Sequence, residues 1–214
     1  MDFLDPDLVE YAEAHTQSES PVLNELNRET YANVLAPRML AGHLQGEILK
    51  MFSSMIKPKQ VLEIGTYTGY SAICLCKGLV KQGTVHTIDI NDELEIMARS
   101  YFKKAGVEKK VKYYIGDAMN IIPEIKKKFD IVYIDADKEN YCNYYDLTFD
   151  KLKKGGYFIA DNVLWSGKVL DKNKKNWDVD TVAIRKFNDK IQIDNRVENV
   201  LFPVRDGIMV AQKK

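Results

Sequence analysis

Between residues 132 and 141 the sequence VYIDADKENY passes from apolar residues straight into charge, with Asp135, Asp137, Lys138 and Glu139 close together. Two readings fit. Asp135 caps the next helix while the other three sit in water, or a carboxylate holds a metal beside a catalytic amine. A second stretch, ADNVLW (160–165), adds Asp161 and Asn162. Two carboxylates and an amide oxygen form a hard oxygen set, suited to Mg²⁺ (Mn²⁺ or Ca²⁺ as alternatives) rather than zinc. Such an ion can also take two adjacent substrate hydroxyls. Lys138, three residues after Asp135, is placed to face one of them. A nearby cation disfavours the ammonium form, which makes the amine a usable base. His15, His43 and His86 are scattered, and the chain has neither a G-x-S-x-G elbow nor a C-x-x-C pair.

A different chemistry is outlined upstream. In VLEIGTYTGYS (61–71), Gly65 and Gly69 give the spacing G-x-x-x-G. The dinucleotide spacing G-x-G-x-x-G is absent, which weakens a nicotinamide or flavin reading. Glu63, two residues before the loop, favours a cationic ligand end such as a sulfonium or an amine over pyrophosphate. Asp89 lies roughly 20 residues beyond the loop, where an acid commonly accepts from both ribose hydroxyls. In GDAM (116–119), Asp117 can accept from an exocyclic adenine amine, with Ala118 and Met119 against the ring. Each acid alone is as readily a helix N-cap, and the glycines alone serve strand-to-helix packing. Together they outline a nucleoside with a cationic end.

These residues need a scaffold that brings strand ends to one edge. From residue 59 strand-like and helix-like runs alternate: strands at 60–65, 84–90, 111–116, 129–136 and 156–163, and helices at 69–82, 92–106, 118–127 and 140–153. That is the pattern of a parallel sheet covered on both faces, whose ligands bind at the carboxyl ends of the strands. If the fourth and fifth strands are neighbours, Asp135, Asp161 and Asn162 converge. Near the end, VENVLFPV (197–204) and GIMVAQK (207–213) flank RDG, a hairpin signal, so the last strand should run antiparallel. Residues 1–58 have no strand-like run. Segments 6–17, 22–35 and 38–56 read as amphipathic helices with Pro6, Pro21 and Pro37 near their starts, a cap or dimerisation surface on one 59–214 core.

Composition narrows the function class. The 214 residues are 45% hydrophobic and 29% charged with a formal net charge of zero, values of a globular domain. A neutral chain lacks the global excess of Lys and Arg that phosphate backbones require. The runs KKK (126–128) and DKNKK (171–175) read as solvated surface. No apolar run approaches ~18 residues, so no membrane span is expected. The acidic start carries no signal-peptide pattern, and three cysteines (Cys74, Cys76, Cys142) fit a reduced, cytoplasmic protein.

The segments LEIGTYTGYS, DIN, VYIDADKENY, GGYFIADNVLWSG and DGIMVAQKK strongly resemble the cation-dependent class I O-methyltransferases, the family of caffeoyl-coenzyme A and catechol O-methyltransferases. The resemblance covers essentially the whole chain. It implies a Rossmann-like fold with a seven-stranded, mostly parallel sheet, S-adenosylmethionine as methyl donor, a divalent metal, a small phenolic acceptor and a homodimer. By motif position it gives Asp135, Asp161 and Asn162 as metal ligands and Lys138 as the catalytic lysine. Donor-binding positions are Met39, Ala41, Glu63, Gly65, Tyr67, Ser71, Asp89, Ile90, Asp117, Ala118, Asp135 and Asp137. Substrate-binding positions are Lys138, Asn162, Trp165 and Ser166, with Trp165, Trp177 and loop 166–176 expected to close over an aromatic ring. The plant coenzyme A ester enzymes have DNTLWNG where this chain has DNVLWSG, so Ser166 replaces their substrate-contacting Asn. The animal catechol enzymes carry a bulky aromatic at the position of Asp137. The implied reaction is methylation of one hydroxyl of a vicinal diphenol. Alternative readings are a tRNA 5-hydroxyuridine methyltransferase, a caffeoyl-coenzyme A-type ester methyltransferase and a nucleoside-binding protein without catalysis.

Overall fold

The computed structural model describes residues 5–214. Seven strands form one sheet: β1 (Gln60–Ile64), β2 (Thr84–Asp89), β3 (Val111–Ile115), β4 (Phe129–Ile134), β5 (Leu152–Asp161), β6 (Val197–Phe202) and β7 (Ile208–Lys213). Their order is β3-β2-β1-β4-β5-β7-β6. The first five are parallel, and β7 pairs antiparallel with both β5 and β6. This is the expected Rossmann-like arrangement. Strand order reverses at β1, where β2 and β4 flank it, which is where an open sheet forms its ligand crevice. The register pairs Ile64 with Ile134 and Ile134 with Ala160. The loops after β1, β4 and β5 therefore leave the sheet at one edge.

Helices cover both faces. Before β1 come α1 (Pro6–Ala14), α2 (Pro21–Asn33) and α3 (Gly42–Ile56), each beginning near a proline or glycine. After it come α4 (Tyr70–Leu75), α5 (Glu95–Lys104), α6 (Ala118–Glu124), α7 (Tyr141–Phe149) and α8 (Val179–Ile193). One apolar cluster joins Leu23, Leu26 and Leu49 of the N-terminal helices to Val61, Ile73 and Tyr101 of the core. The other packs Ile122, Tyr145 and Phe187 against Val132 and Phe158.

Two elements differ from the sequence reading. The helix expected over 69–82 stops at Leu75. A Cβ on Gly78 would lie 2.0 Å from the Ser53 backbone, so the chain turns there to press against α3. Helix α8 was not anticipated, because its surface is dense with charge. Its buried positions, Thr181, Ile184, Phe187 and Ile191, nonetheless keep helical spacing, and Asp178 caps it through Thr181 N at 2.8 Å.

Candidate active site

Of the charged stretch after β4, Lys138 is folded inward and Asp135 half-buried, while Asp137 and Glu139 are exposed. Lys138 opens a short 3₁₀ turn and is buried, with 7% of its surface exposed. Its Nζ donates to Asp135 Oδ1 at 3.2 Å, Asn162 Oδ1 at 2.9 Å and Tyr141 Oη at 2.7 Å. An ammonium has three hydrogens, and each has its own acceptor. Tyr141 in turn donates to the backbone carbonyl of Asp161 at 3.0 Å, which fixes its hydroxyl as the acceptor for Lys138. Asp135 therefore does not cap a helix, whereas Glu139 is exposed as a solvated turn residue would be. Asp161, at the end of β5, is 2% exposed. Burial, and then the charge of Asp135, pushes its carboxyl up to about 7. Asn162 leaves the strand with φ 57°, a conformation that asparagine tolerates better than most residues. Among the described residues no three His, Cys, Asp or Glu side chains gather as a metal-binding group; a cation between Asp135 and Asp161 would need the Asn162 amide oxygen as a third donor.

The upstream residues meet the same cavity from the other side of β1. Asp89 accepts from Tyr67 N at 2.6 Å and Asn91 N at 2.9 Å, so backbone amides fix its carboxylate. Asp117 does cap α6, through Met119 N at 2.8 Å, and it lines the cavity as well. A Cβ on Gly65 would fall 2.1 Å from the Asp135 carbonyl oxygen, and its φ is +101°, so only glycine lets the β1 and β4 loops touch here. Gly69 sits under Phe102 of α5 and serves packing. Met39 and Ala41 come from the turn before α3, and Tyr67, Ser71, Ile90, Ala118 and Asp137 complete the wall. Tyr144 Oη holds Asp137 at 2.6 Å.

The cavity measures about 2310 Å³, well above the ~300–1,000 Å³ usual for one small ligand. It has room for a nucleoside donor and an acceptor together. The expected site residues line it except Glu63, Met119 and Trp177; Glu63 is wholly buried behind the β1 loop. Glu63 Oε2 accepts from Thr87, while Oε1 has no partner, and burial pushes the carboxyl up to about 8. The expected direct contact of Glu63 with a cationic ligand end is thus not prepared here.

Trp165 and Ser166 line the cavity, with Lys138 Nζ 5.7 Å from the Trp165 ring centre. Trp177 does not line it. Its indole N–H closes the loop on the Asp171 carbonyl at 2.9 Å and its ring lies under the Arg185 guanidinium, so it pins loop 166–176 to α8 rather than covering an acceptor. Sequence reading missed Gln45, Tyr141, Arg205 and Asp206. The signal for Gln45 was a polar residue in line with Leu49 and Ser53 on the buried face of α3. Arg205 and Asp206 stood in the hairpin motif RDG, where turn chemistry alone explained them. Asp206 Oδ1 accepts from Ser166 N at 2.5 Å and so holds the acceptor loop.

Comparison with known proteins agrees with this geometry. A family model described as O-methyltransferase matches residues 13–214. The chain is 31% identical to a caffeoyl-CoA O-methyltransferase of Stellaria longipes, covering 91% of this chain and 84% of that protein. It is 33% identical to the catechol O-methyltransferase domain-containing protein 1 of Mus musculus, covering 98% and 80%. The O-methyltransferase from Bacillus cereus, solved in complex with SAH, superposes with a TM-score of 0.88 at 28% identity over 97% of both chains. With a family model spanning nearly its whole length and its strand ends arranged as described, the chain belongs to the O-methyltransferase family of the caffeoyl-CoA and catechol type.

Proposed function

We propose that this protein transfers the methyl group of S-adenosylmethionine to one hydroxyl of a catechol-type vicinal diphenol at a site that also takes a divalent cation. The observation that carries this reading is the seat of Lys138. A buried amine stands 3.2 Å from Asp135 Oδ1 and 2.9 Å from Asn162 Oδ1, in a cavity whose opposite side carries Asp89 and Asp117. Asp135, Asp161 and Asn162 would hold the cation. Two carboxylates and an amide oxygen are a hard oxygen set, which suits Mg²⁺ ahead of Mn²⁺ or Ca²⁺. When bound, the ion supplies a Lewis acid that favours the ionised diphenol.

The remaining work falls to the chain. Lys138 would first release one ammonium proton to solvent and then, as the neutral amine, accept the proton of the attacking hydroxyl on Nζ, while Tyr141 keeps that nitrogen in place. Asp89 accepts from the ribose hydroxyls, and Asp117 from the adenine amine, with Ala118 beside the ring. Trp165 walls the acceptor end. Alignment of donor and acceptor and the electrostatics of the site supply most of the rate gain. The Bacillus cereus neighbour binds SAH, the demethylated form of the same donor, which supports the donor assignment. The names of the relatives support a phenolic acceptor.

A homodimer through the cap helices belongs to this reading, since Met51 and Met55 of α3 are exposed. Among the described residues no helix is long and apolar enough to cross a membrane. The test is an acceptor panel with methyl-labelled donor: free catechols, a caffeoyl-CoA-type ester and undermodified tRNA. Label in free catechols supports the proposal. Label confined to the ester or to tRNA replaces the acceptor.

A further inference from the structure

The cap of helices does more than cover the cavity. Gln45 of α3 is 2% exposed and reaches Asp161, 116 residues further along the chain. Its Oε1 accepts from Arg205 Nη1 at 2.9 Å. A guanidinium can only donate, so Arg205 fixes which end of the amide is which. The two hydrogens on Nε2 are then directed inward, one to Tyr133 Oη at 3.0 Å and one to Asp161 Oδ2. The other oxygen of Asp161 accepts from Asn162 N at 2.8 Å. The carboxylate plane is thereby held from two sides, by its own chain and by the cap.

We infer that Gln45, oriented by Arg205, is a positioning residue that aims the Asp161 carboxylate at the cation site. This inference rests on the reading of Asp161 as a cation ligand. Both hydrogens and the oxygen of the Gln45 amide are committed, so it acts through Asp161 and not on the substrate. Partners of metal ligands typically contribute about ten- to a hundredfold in metal affinity. Arg205 is half-buried in the β6–β7 turn, so its side chain can be changed with little repacking.

The test measures binding of Mn²⁺ alone to donor-free protein, from the loss of the free-ion electron paramagnetic resonance signal. Gln45→Leu should weaken binding by about ten- to a hundredfold. Arg205→Met should weaken it in the same direction, and should add nothing in the Gln45→Leu background, because it acts through that amide. A purely structural role would lower the melting temperature and leave the Mn²⁺ affinity of the folded protein unchanged. Asp161→Ala separates the two levels. If it abolishes binding while Gln45→Leu and Arg205→Met bind as tightly as the parent, the inference is overturned and the cation site stands. If Asp161→Ala itself binds Mn²⁺ normally, the cation site falls and the inference with it. Should Gln45→Leu not fold, Arg205→Met decides: weaker binding supports the inference, and unchanged binding overturns it.

Discussion

Glu63→Gln should stabilise the donor-free, metal-free protein by an amount that grows with pH. Glu63 is fully buried with one oxygen unpartnered, and burial pushes its carboxyl from an ordinary 4.5 up to about 8. The Thr87 hydroxyl, which donates to Oε2, opposes that rise without cancelling it, and the charges of Asp135 and Asp89 reinforce it. A carboxyl raised in the folded state favours folding fully below its unfolded value and loses that benefit as pH climbs through the folded one. The unfolded chain releases the proton above pH 4.5, while the folded chain keeps it until about pH 8. At ~1.36 kcal/mol per pH unit the difference reaches about 3 kcal/mol by pH 7 and levels off near 5 kcal/mol above pH 8. The glutamine variant carries no such term. Any fixed cost of seating the amide is a constant offset. Denaturant unfolding of both proteins from pH 4.5 to pH 9 reads the difference directly, with EDTA present and donor removed. The expected result is a variant-minus-parent stability that rises across this window and flattens near pH 8. A difference independent of pH would refute the assignment of a neutral, buried Glu63.

The other expectations concern the cavity itself. Lys138→Met keeps much of the side-chain length without a basic amine and should cut turnover on a catechol by ~10²–10⁴. Lys138→Arg should not restore it, because guanidinium stays protonated at working pH, and single-turnover kinetics at saturating donor measure both. Asp89→Ala should raise the donor dissociation constant by roughly ten- to a hundredfold, the scale of two hydrogen bonds to a charged group partly replaced by water. Calorimetry checks this, and unchanged affinity would remove Asp89 from the donor site.

The residues that line the cavity were largely legible because the sheet places them at strand ends. Asp89, Asp117, Asp135 and Asp161 each follow a short β-branched or apolar run, and parallel pairing brings those ends to one edge. What escaped depended on contacts between distant segments. Gln45 lies 116 residues from Asp161 and 160 from Arg205, and no local spacing announces either contact. Glu63 stood next to a glycine loop and read as a ligand contact, yet the inward face of β1 buries it. Trp177 read as a cover for the acceptor because it is aromatic and sits in a polar loop, but its indole is used to pin that loop to α8. Helix α8 was hidden by its own charged surface, although its core positions kept the helical period.

In the proposed reaction, Asp135, Asp161 and Asn162 would hold a divalent ion that methyl transfer to a vicinal diphenol requires. This requirement is tested most directly by following labelled methyl transfer to a catechol while the metal is removed with excess EDTA, verified by elemental analysis, and then added back as Mg²⁺. Transfer should stop on removal, return on addition, and be absent throughout in Asp161→Ala, which should stay folded by circular dichroism. Full turnover in protein shown to be free of metal would contradict the requirement.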